Sequence, residues 1–569
     1  MPAFSSKLKN RELNIIFLFL FVIANAIVFF KCNKGYPNVD EMFYLTVPYR
    51  FLLGDAPFVH EWHLSQMSGI LLYPMVSFWY KLNGNLDGIV LFARQVFAVI
   101  NCAYGAFIYL RLKSKSWISA VCVSLMCMLF VPFNIPVLSY NSIGVMGLLA
   151  ALIIIYTAQT RLRLQYTVCG IFFALAVVCN PFLVFMYLAF AVYAFITLCK
   201  QKNSLPMKQF IFITLGCVIV ALPFFAFILS RSDFADILRT FPLMFEDPEH
   251  EQYTILYKIK SYFGALVMQR IYLIPIYACL LVLFFICVFD KKRLSRRYHY
   301  FYTVAAFTVL LMVCHATFNH MSALMWSINL IGLFIFLLTD DAEIKNIFYH
   351  FWLPGMLYSF CMHMASNQRF PAITSGAAVA AAGTIMMLVA YANIYTERES
   401  TSPSCLLHKR LIPAIAAIII LFQVTSVAWF RYNCIFEDNS VRNQTEKIED
   451  GIYRGMIVSK SKMCQYHNAL YPLTFLDSYN IEKILHLDWA CWYYLTDDCA
   501  FSSYSAWLGF IPPEDMIQRF EAYYSLYPDK MPDAVLATWN HDLADLFCER
   551  FGYHIDIFQE EASVLLPNE

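Results

Sequence analysis

The sequence predicts an all-α polytopic membrane protein of about thirteen transmembrane helices, followed by a small extracytoplasmic α/β domain at the C-terminus. Of the 569 residues, 60% are hydrophobic and only 14% are charged. Apolar runs recur along the first 430 residues, whereas residues 431–569 (the tail) are more polar and contain no such run. Soluble domains carry roughly a quarter of charged residues, so this composition excludes an ordinary soluble enzyme. The net charge of +1 gives no reason to expect nucleic acid as a partner.

The first apolar run, Leu13–Phe30, is predicted to be a membrane anchor that stays on the protein. Basic residues precede it, and Lys31-Cys32-Asn33-Lys34 follows where a signal peptide would need small residues for cleavage. Because positive residues flank the cytoplasmic side of a membrane helix, we expect a cytoplasmic N-terminus.

Twelve further runs approach the length of about 20 apolar residues that a membrane helix needs. They are Ile89–Leu110, Trp117–Phe133, Ser142–Tyr156, Tyr166–Cys179, Phe182–Leu198, Phe210–Leu229, Ile271–Phe289, His299–Phe318, Ser322–Leu338, Ile347–Ala365, Ala372–Tyr391 and Leu411–Phe430. Two of these runs meet at Asn180-Pro181 and form either a tight hairpin or one long broken helix. Proline disfavours a helical conformation in the residue before it, which favours the hairpin.

The distribution of positive charge supports thirteen crossings. Counted from a cytoplasmic N-terminus, all the clusters of lysine and arginine then fall on the cytoplasmic face. These clusters are Arg111 to Lys115, Arg161 with Arg163, Lys200 to Lys208, Lys291 to Arg297, and Lys409 with Arg410. A single long helix at Asn180 would place the later clusters on the opposite face.

Three polar segments then share the extracytoplasmic face: residues 31–68 (the first outer segment), residues 230–270 (the second outer segment) and the tail. In the tail, Ala534–Ala537 and Ser563–Leu566 are predicted strands, and Glu514–Tyr527 is a predicted amphipathic helix. We therefore expect a transmembrane catalytic domain over residues 1–430 and an α/β domain over residues 431–569.

Asp40 and Glu41 are the candidate catalytic residues. They form a carboxylate pair close to the bilayer among aromatic and apolar neighbours. Partial desolvation there raises the pKa of a carboxyl group and makes it a better base. The alternative is a solvated helix N-terminus, where acidic residues interact favourably with the helix dipole.

The residues after this pair follow a recognisable order. It consists of Tyr44, Arg50, Gly54-Asp55-Ala56-Pro57, His60-Glu61-Trp62-His63, Tyr73-Pro74 and Phe92-Ala93-Arg94. This order resembles the first outer loop of GT-C glycosyltransferases, such as protein O-mannosyltransferases and the lipid A aminoarabinose transferase. These membrane enzymes move a sugar from a polyprenyl-phosphate donor to an acceptor at the outer face. The motif is confined to residues 36–94, and the topology of most of the membrane portion is similar too.

The resemblance implies a GT-C-like fold and a polyprenyl-phosphate-dependent glycosyltransferase in a plasma membrane, which we expect to be bacterial. The acceptor would be a glycan, a lipid or a protein of the cell envelope. Asp40 would be the base that deprotonates the acceptor, and Glu41 would be its orienting neighbour. A direct displacement from a phosphate leaving group needs one carboxylate base.

The departing phosphate requires cationic partners on the same face. The candidate substrate-binding residues are His60, Glu61, His63, Arg270, His320 and Arg369. For the arginines the alternative is an interfacial anchor, and for the histidines it is a hydrogen bond at an interface. The sequence assigns no cofactor. His60, Glu61 and His63, with His250, are of the types that bind a divalent metal ion, although hydrogen-bonded histidines without a metal are favoured.

Two other functions are compatible with the composition. A transporter or flippase of lipid-linked saccharides is the main alternative, but such proteins often carry ionisable residues within their spans. Here the spans carry few, and the polar groups gather on one face, which favours an enzyme. A non-catalytic assembly protein whose tail binds a partner is the least favoured of the three.

Overall fold

The computed structural model describes most of the chain. The described residues are 10–36, 40–63, 65–246, 254–268, 273–289, 297–317, 322–366, 368–397, 403–436, 438, 440–471, 473–476, 479, 481–487, 499–505, 511–537, 540–559 and 562–568.

Up to residue 433, the regular secondary structure of the described residues is helical. They are α1 (Asn10–Lys31), α2 (Asp40–Leu52), α3 (Gln66–Asn83), α4 (Ile89–Leu112), α5 (Trp117–Leu129), α6 (Tyr140–Thr157), α7 (Leu162–Cys179), α8 (Val184–Gln201), α9 (Leu205–Leu229), α10 (Phe234–Thr240), α11 (Ile255–Met268), α12 (Ile274–Phe289), α13 (Arg297–Ala316), α14 (Ser322–Leu338), α15 (Ala342–Ile347), α16 (Leu353–Met364), α17 (Phe370–Gly376), α18 (Ala378–Glu397) and α19 (Pro403–Asn433).

The helices confirm a multi-pass membrane protein. Within the described residues, nine helices are long and apolar enough to cross a bilayer, and each coincides with a predicted run. Three more predicted runs appear as the shorter apolar helices α5, α12 and α14. The remaining run, 347–365, consists of the last residue of α15, a π-helical turn and α16. At Asn180 the backbone is extended, so α7 ends and α8 begins as a separate helix.

Close backbone contact between α7 and α9 depends on glycine. A Cβ atom on Gly216 would overlap the backbone carbonyl of Thr167 and lie 2.9 Å from the Cα of Gly170. Because both obstacles are backbone, a side chain here must push the two helices apart.

We therefore expect Gly216→Leu to destabilise the protein by about 1–3 kcal/mol or more, since overpacking strains a close-packed interior. A lowered midpoint of thermal unfolding in detergent would show this. Gly264→Ala is the control, because a Cβ atom on Gly264 meets nothing within 4 Å. Equal midpoints for the two variants would contradict the role of Gly216.

The tail combines strands and helices. Its elements are β1 (Glu446–Lys447), β2 (Ile457–Val458), α20 (Lys460–Leu470), α21 (Leu473–Leu476), β3 (Lys483–His486), β4 (Ala500–Phe501), α22 (Pro513–Leu526), β5 (Ala534–Ala537), α23 (His541–Phe551), β6 (Tyr553–Gln559) and β7 (Ala562–Pro567). Five strands form one sheet in the order β4-β3-β5-β7-β6, with β4, β3 and β5 parallel and the other neighbours antiparallel. The two predicted strands and the predicted helix are confirmed.

Backbone hydrogen bonds join the tail to the membrane portion. The amide of Gly35 donates to the carbonyl of Ile457 over 2.9 Å, and the amide of Ile457 donates to the carbonyl of Asn33 over 2.7 Å. At the start of α4, the amide of Gly88 donates to the carbonyl of Gly451 over 3.0 Å. The first outer segment and the tail therefore lie on the same side of the membrane helices.

Candidate active site

The two candidate carboxylates begin helix α2. Asp40 is its first residue, and both acids lie in its first turn, where the helix dipole favours negative charge. Adjacent residues of an α-helix point about 100° apart, so their side chains enter different surroundings. Asp40 is partly exposed, whereas Glu41 is buried.

Glu41 is neutralised by a buried arginine. Arg94 donates from Nε to Oε1 of Glu41 over 2.6 Å and from Nη2 to Oε2 over 2.7 Å. The same guanidinium donates from Nη1 to the carbonyl of Lys34 over 2.7 Å. This bidentate pair fixes the N-terminus of α2 against the start of α4, and it leaves Asp40 as the partly exposed carboxylate of the two.

Aromatic and histidine side chains surround the first turns of α2. Tyr44 lies one turn after Asp40 and is buried; Asn141 Nδ2 donates to its hydroxyl over 3.3 Å. Burial raises the pKa of Tyr44 well above its ordinary value, so the hydroxyl stays protonated. The ring of His63 packs edge-on against Phe43 with centroids 4.7 Å apart. His63 is thus brought beside the turn that carries Asp40.

The other end of α2 is held by a buried network around Arg50. Its Nε donates to Oδ2 of Asp55 over 2.7 Å, and its Nη1 donates to Oε2 of Glu61 over 2.6 Å. It also reaches the tail, donating to the carbonyl of Ser503 over 2.9 Å and to the hydroxyl of Ser505 over 3.2 Å. Burial alone would lower the pKa of Arg50, but the carboxylates of Glu61 and Asp55 outweigh it and raise that pKa.

A second cation from the tail completes this network. Lys530 Nζ lies 2.5 Å from Oδ1 of Asp55. Burial would raise the pKa of Asp55, but Arg50 and Lys530 outweigh it and lower that pKa. The two cations balance the carboxylates of Asp55 and Glu61, as buried charges require.

The network around Arg50 lies at the edge of the tail sheet where the parallel strands end. Ser503 and Ser505 follow β4, at the carboxyl end of the parallel strands, where α/β sheets commonly bind ligands. Here side chains of the first outer segment fill that position, and Glu61 also accepts from the backbone amide of Ser505 over 3.2 Å. Trp62 packs beside it, 5.2 Å from the ring of Tyr504. Glu61 therefore joins α2 to the tail.

The surroundings of His60 predict that this junction is sensitive to pH. Its Nδ1 lies 3.7 Å from Oδ1 of Asp55, and Lys530, Arg50 and Asp529 also act on it. Burial, helped by the lysine and the arginine, lowers the pKa of His60 below its ordinary value. The folded protein thus binds this proton less readily than the unfolded chain does. The stability that the neutral ring contributes is complete above the unfolded pKa of about 6.5 and is lost as the pH falls below it.

We expect the midpoint of thermal unfolding to fall when the pH is lowered from about 7 to about 5, and to fall less in His60→Gln. Thermal unfolding of both proteins in detergent across this range checks the expectation. An identical fall in both would show that His60 is not responsible.

The second outer segment also packs on the first. Ser232 Oγ donates to the carbonyl of Pro57 over 2.6 Å, and the hydroxyl of Thr240 donates to the carbonyl of Phe58. Two of the predicted substrate-binding residues, Arg270 and His320, lie outside the described residues, as does His250. Their positions relative to Asp40 therefore stay predictions.

Arg369 lies in a different group of polar side chains. It is exposed, has a left-handed backbone (φ 50°) and precedes α17. It interacts electrostatically with His363, on which Lys258 also acts. His363 Nε2 lies 2.8 Å from the hydroxyl of Ser261, and Lys258 Nζ donates to the carbonyl of Ser366 over 3.0 Å. The sequence did not single out Lys258 or His363.

The predicted metal ligands have other partners in this structure. His60 Nδ1 accepts from the amide of Ala56 over 3.1 Å, and His63 Nδ1 lies 2.7 Å from the hydroxyl of Ser65. Among the described residues, no group of three or more His, Cys, Asp or Glu side chains is arranged to hold a metal ion.

Several site residues could not be recognised from the sequence. Arg50 and Asp55 stand in the motif, but Lys530 lies 475 residues from its partner Asp55. Ser503 and Ser505 contact Arg50 across similar separations. Contacts of this range depend on the fold of the tail, and a single sequence carries no local signal for them.

Comparison of the sequence with protein-family models and with curated proteins finds no match. Among solved structures, the fold is similar to the crystal structure of ArnT from Cupriavidus metallidurans bound to undecaprenyl phosphate, with 12% identity, a TM-score of 0.42 and coverage of 98% of both chains. The apo state of the same protein matches with 12% identity and a TM-score of 0.41, covering 96% of this chain and 97% of that one. The oligosaccharyltransferase of Archaeoglobus fulgidus, tethered to an acceptor peptide, matches with 11% identity and a TM-score of 0.46, covering 97% of this chain and 74% of that one.

Proposed function

We propose that this chain is a glycosyltransferase that transfers a sugar from a polyprenyl-phosphate donor to a cell-envelope acceptor at the outer face of a bacterial plasma membrane. The observation that carries the proposal is the unequal pair in the first turn of α2. Glu41 is buried and neutralised by Arg94, whereas Asp40 is partly exposed. One carboxylate therefore fixes the helix while its neighbour can meet a substrate.

In the proposed reaction, Asp40 accepts the proton of the acceptor nucleophile as that nucleophile attacks the anomeric carbon. The bond between this carbon and the phosphate oxygen breaks, and the polyprenyl phosphate leaves with the bonding electrons. A single displacement inverts the configuration at the anomeric carbon. Glu41 keeps Asp40 in place through Arg94.

The proposed substrate-binding groups are those that the sequence predicts. His63 lies beside the turn of Asp40 and is suited to contact the sugar or its phosphate. Arg270, His320 and Arg369 are proposed as partners of the phosphate. His60 and Glu61 are proposed to support the site, since both form hydrogen bonds between the first outer segment and the tail.

In this proposal, residues 1–430 carry out the reaction, and residues 431–569 hold the first outer segment in place. With the N-terminus in the cytoplasm, both outer segments and the tail face the outside. The contacts from Arg50 and Lys530 across these parts support this division of labour.

A transfer assay on detergent-purified protein tests the proposal. A panel of polyprenyl-phosphate sugars with radiolabelled sugar is supplied together with native membrane extract as acceptor. Label that moves from one donor into the extract identifies the sugar and supports the transferase. If the label stays with every donor although the protein is folded, the proposal is refuted and a flippase is favoured.

A further inference from the structure

A group of buried cations lies where α1, α4 and α19 reach the outer segments. Lys31 is the last residue of α1, Arg94 lies in the second turn of α4, and Arg431 lies in the last turn of α19. Their exposed fractions are 3%, 4% and 0%. Electrostatic interactions link Lys31 to both arginines, and Arg431 to Arg94 and Glu41. Three helices thus bring positive charge to one place.

Among the described residues, carboxylates are fewer than basic side chains at this place. Glu41 is the carboxylate that interacts with this group, and both of its oxygens accept from Arg94. Lys31 Nζ donates to backbone carbonyls, those of Tyr432 and Cys434. Within the described part of the chain, three buried basic side chains are thus accompanied by one carboxylate.

Arg431 is the residue that points to a missing anion. Its Nε, Nη1 and Nη2 are buried and have no hydrogen-bond partner within the described part of the chain. A guanidinium offers five donors, and burying it without a partner is strongly unfavourable. An anion that accepts several hydrogen bonds would satisfy both the donors and the excess charge. Phosphate has this geometry and charge.

A groove beside this group suggests how such an anion arrives. It has a volume of about 300 Å³, and its walls include Phe30, Cys32 and Lys34. Phe30 is 46% exposed near the end of α1, a helix long and apolar enough to cross a bilayer, so it gives the groove an exposed apolar wall. On the inner side, Cys32 interacts electrostatically with both Arg94 and Arg431. An apolar wall next to buried cations suits an amphiphile with a phosphate at its polar end.

We propose that Lys31, Arg94 and Arg431 form a binding site for a lipid-borne phosphate whose hydrocarbon chain lies against Phe30. The phosphate comes either from a phospholipid headgroup or from a polyprenyl phosphate. Binding here needs no chemistry at Asp40, so the inference goes beyond the proposed transfer reaction. Asp40→Asn is expected to bind the lipid like the wild type, which separates a failure of this site from a failure of the proposed function.

The test uses full-length protein stripped of lipid in detergent. The midpoint of thermal unfolding and the binding of radiolabelled lipid are measured with phosphatidylglycerol and with a polyprenyl phosphate. Diacylglycerol and polyprenol are the matched lipids without phosphate, and inorganic phosphate alone is a further arm. We expect the wild type to be stabilised only by the phosphate-bearing lipids. The lipid that stabilises it more identifies the source of the phosphate.

Arg431→Gln is the decisive variant. It should bind the phosphate-bearing lipid at least about tenfold more weakly, because a charged hydrogen-bonding partner is lost. Without lipid its unfolding midpoint should equal or exceed that of the wild type, since repulsion among the cations is relieved. Arg442→Gln, at an exposed arginine of the tail, is the control and should respond like the wild type.

Three results would overturn the inference. They are equal stabilisation by lipids with and without phosphate, unchanged lipid affinity in Arg431→Gln, and the whole effect reproduced by inorganic phosphate alone. If Arg431→Gln does not fold, Lys31→Gln is measured in the same way, and an unchanged lipid affinity there overturns the inference equally.

Discussion

Asp40→Asn is expected to lower the kcat of sugar transfer by about 100- to 10,000-fold while the KM for the donor changes little. The amide keeps the size and position of the side chain at the start of α2 but cannot accept the acceptor's proton. Initial rates over a range of donor concentrations, at fixed acceptor, separate the two parameters. The unfolding midpoint should stay close to that of the wild type, because Asn also suits a helix N-terminus.

Asp515→Asn is the matched control for this experiment. Asp515 also lies in the first turn of a helix, α22, but it is exposed and belongs to the tail. Its kcat should equal that of the wild type. If Asp40→Asn behaved like this control, Asp40 would not be the base.

Arg50→Met is expected to destabilise the protein by about 3–5 kcal/mol, because it leaves the carboxylates of Asp55 and Glu61 buried without their main partner. Lys530 can compensate only for Asp55, which it contacts directly. The loss should appear as a lower unfolding midpoint and as faster proteolysis within the tail, which Arg50 holds through Ser503.

Arg454→Met is the control for Arg50→Met. Arg454 pairs with Asp87 at 3.7 Å, and its side chain is half exposed. Exposed ion pairs contribute only about 0–1 kcal/mol, so this variant should unfold near the wild-type midpoint. Equal destabilisation by the two variants would show that burial of the Arg50 network does not matter.

Much of the fold could be predicted because membrane helices and their breaks are local properties. The apolar runs located α1, α4 and α9 to within a few residues, and Asn180-Pro181 marked the end of α7. Strands of the tail could also be predicted from the sequence where they are short and apolar, as at Ala534–Ala537. The shorter helix α5 was overestimated because its run continues into an irregular segment at Phe130–Phe133 that is equally apolar.

The candidate site was only partly predictable. The motif brought attention to Asp40, Glu41 and Arg50, since these residues are close in sequence. Arg94 neutralises Glu41 because α2 packs against α4. The hydrophobic periodicity of a sequence does not specify which helices pack together. The partners of Glu61 in the tail could not be foreseen at all, so a side chain that looked available for substrate is in fact engaged by Arg50 and Ser505.

A double-label experiment tests the central claim most directly. The active donor is prepared with tritium in the sugar and radiophosphorus in the lipid phosphate, and it is reconstituted with acceptor and with wild type or Asp40→Asn in lipid vesicles. The account predicts that wild type moves tritium to the acceptor while the radiophosphorus stays with the polyprenyl lipid, and that Asp40→Asn moves neither. Movement of both labels together, whether onto the acceptor or across the bilayer, would contradict it.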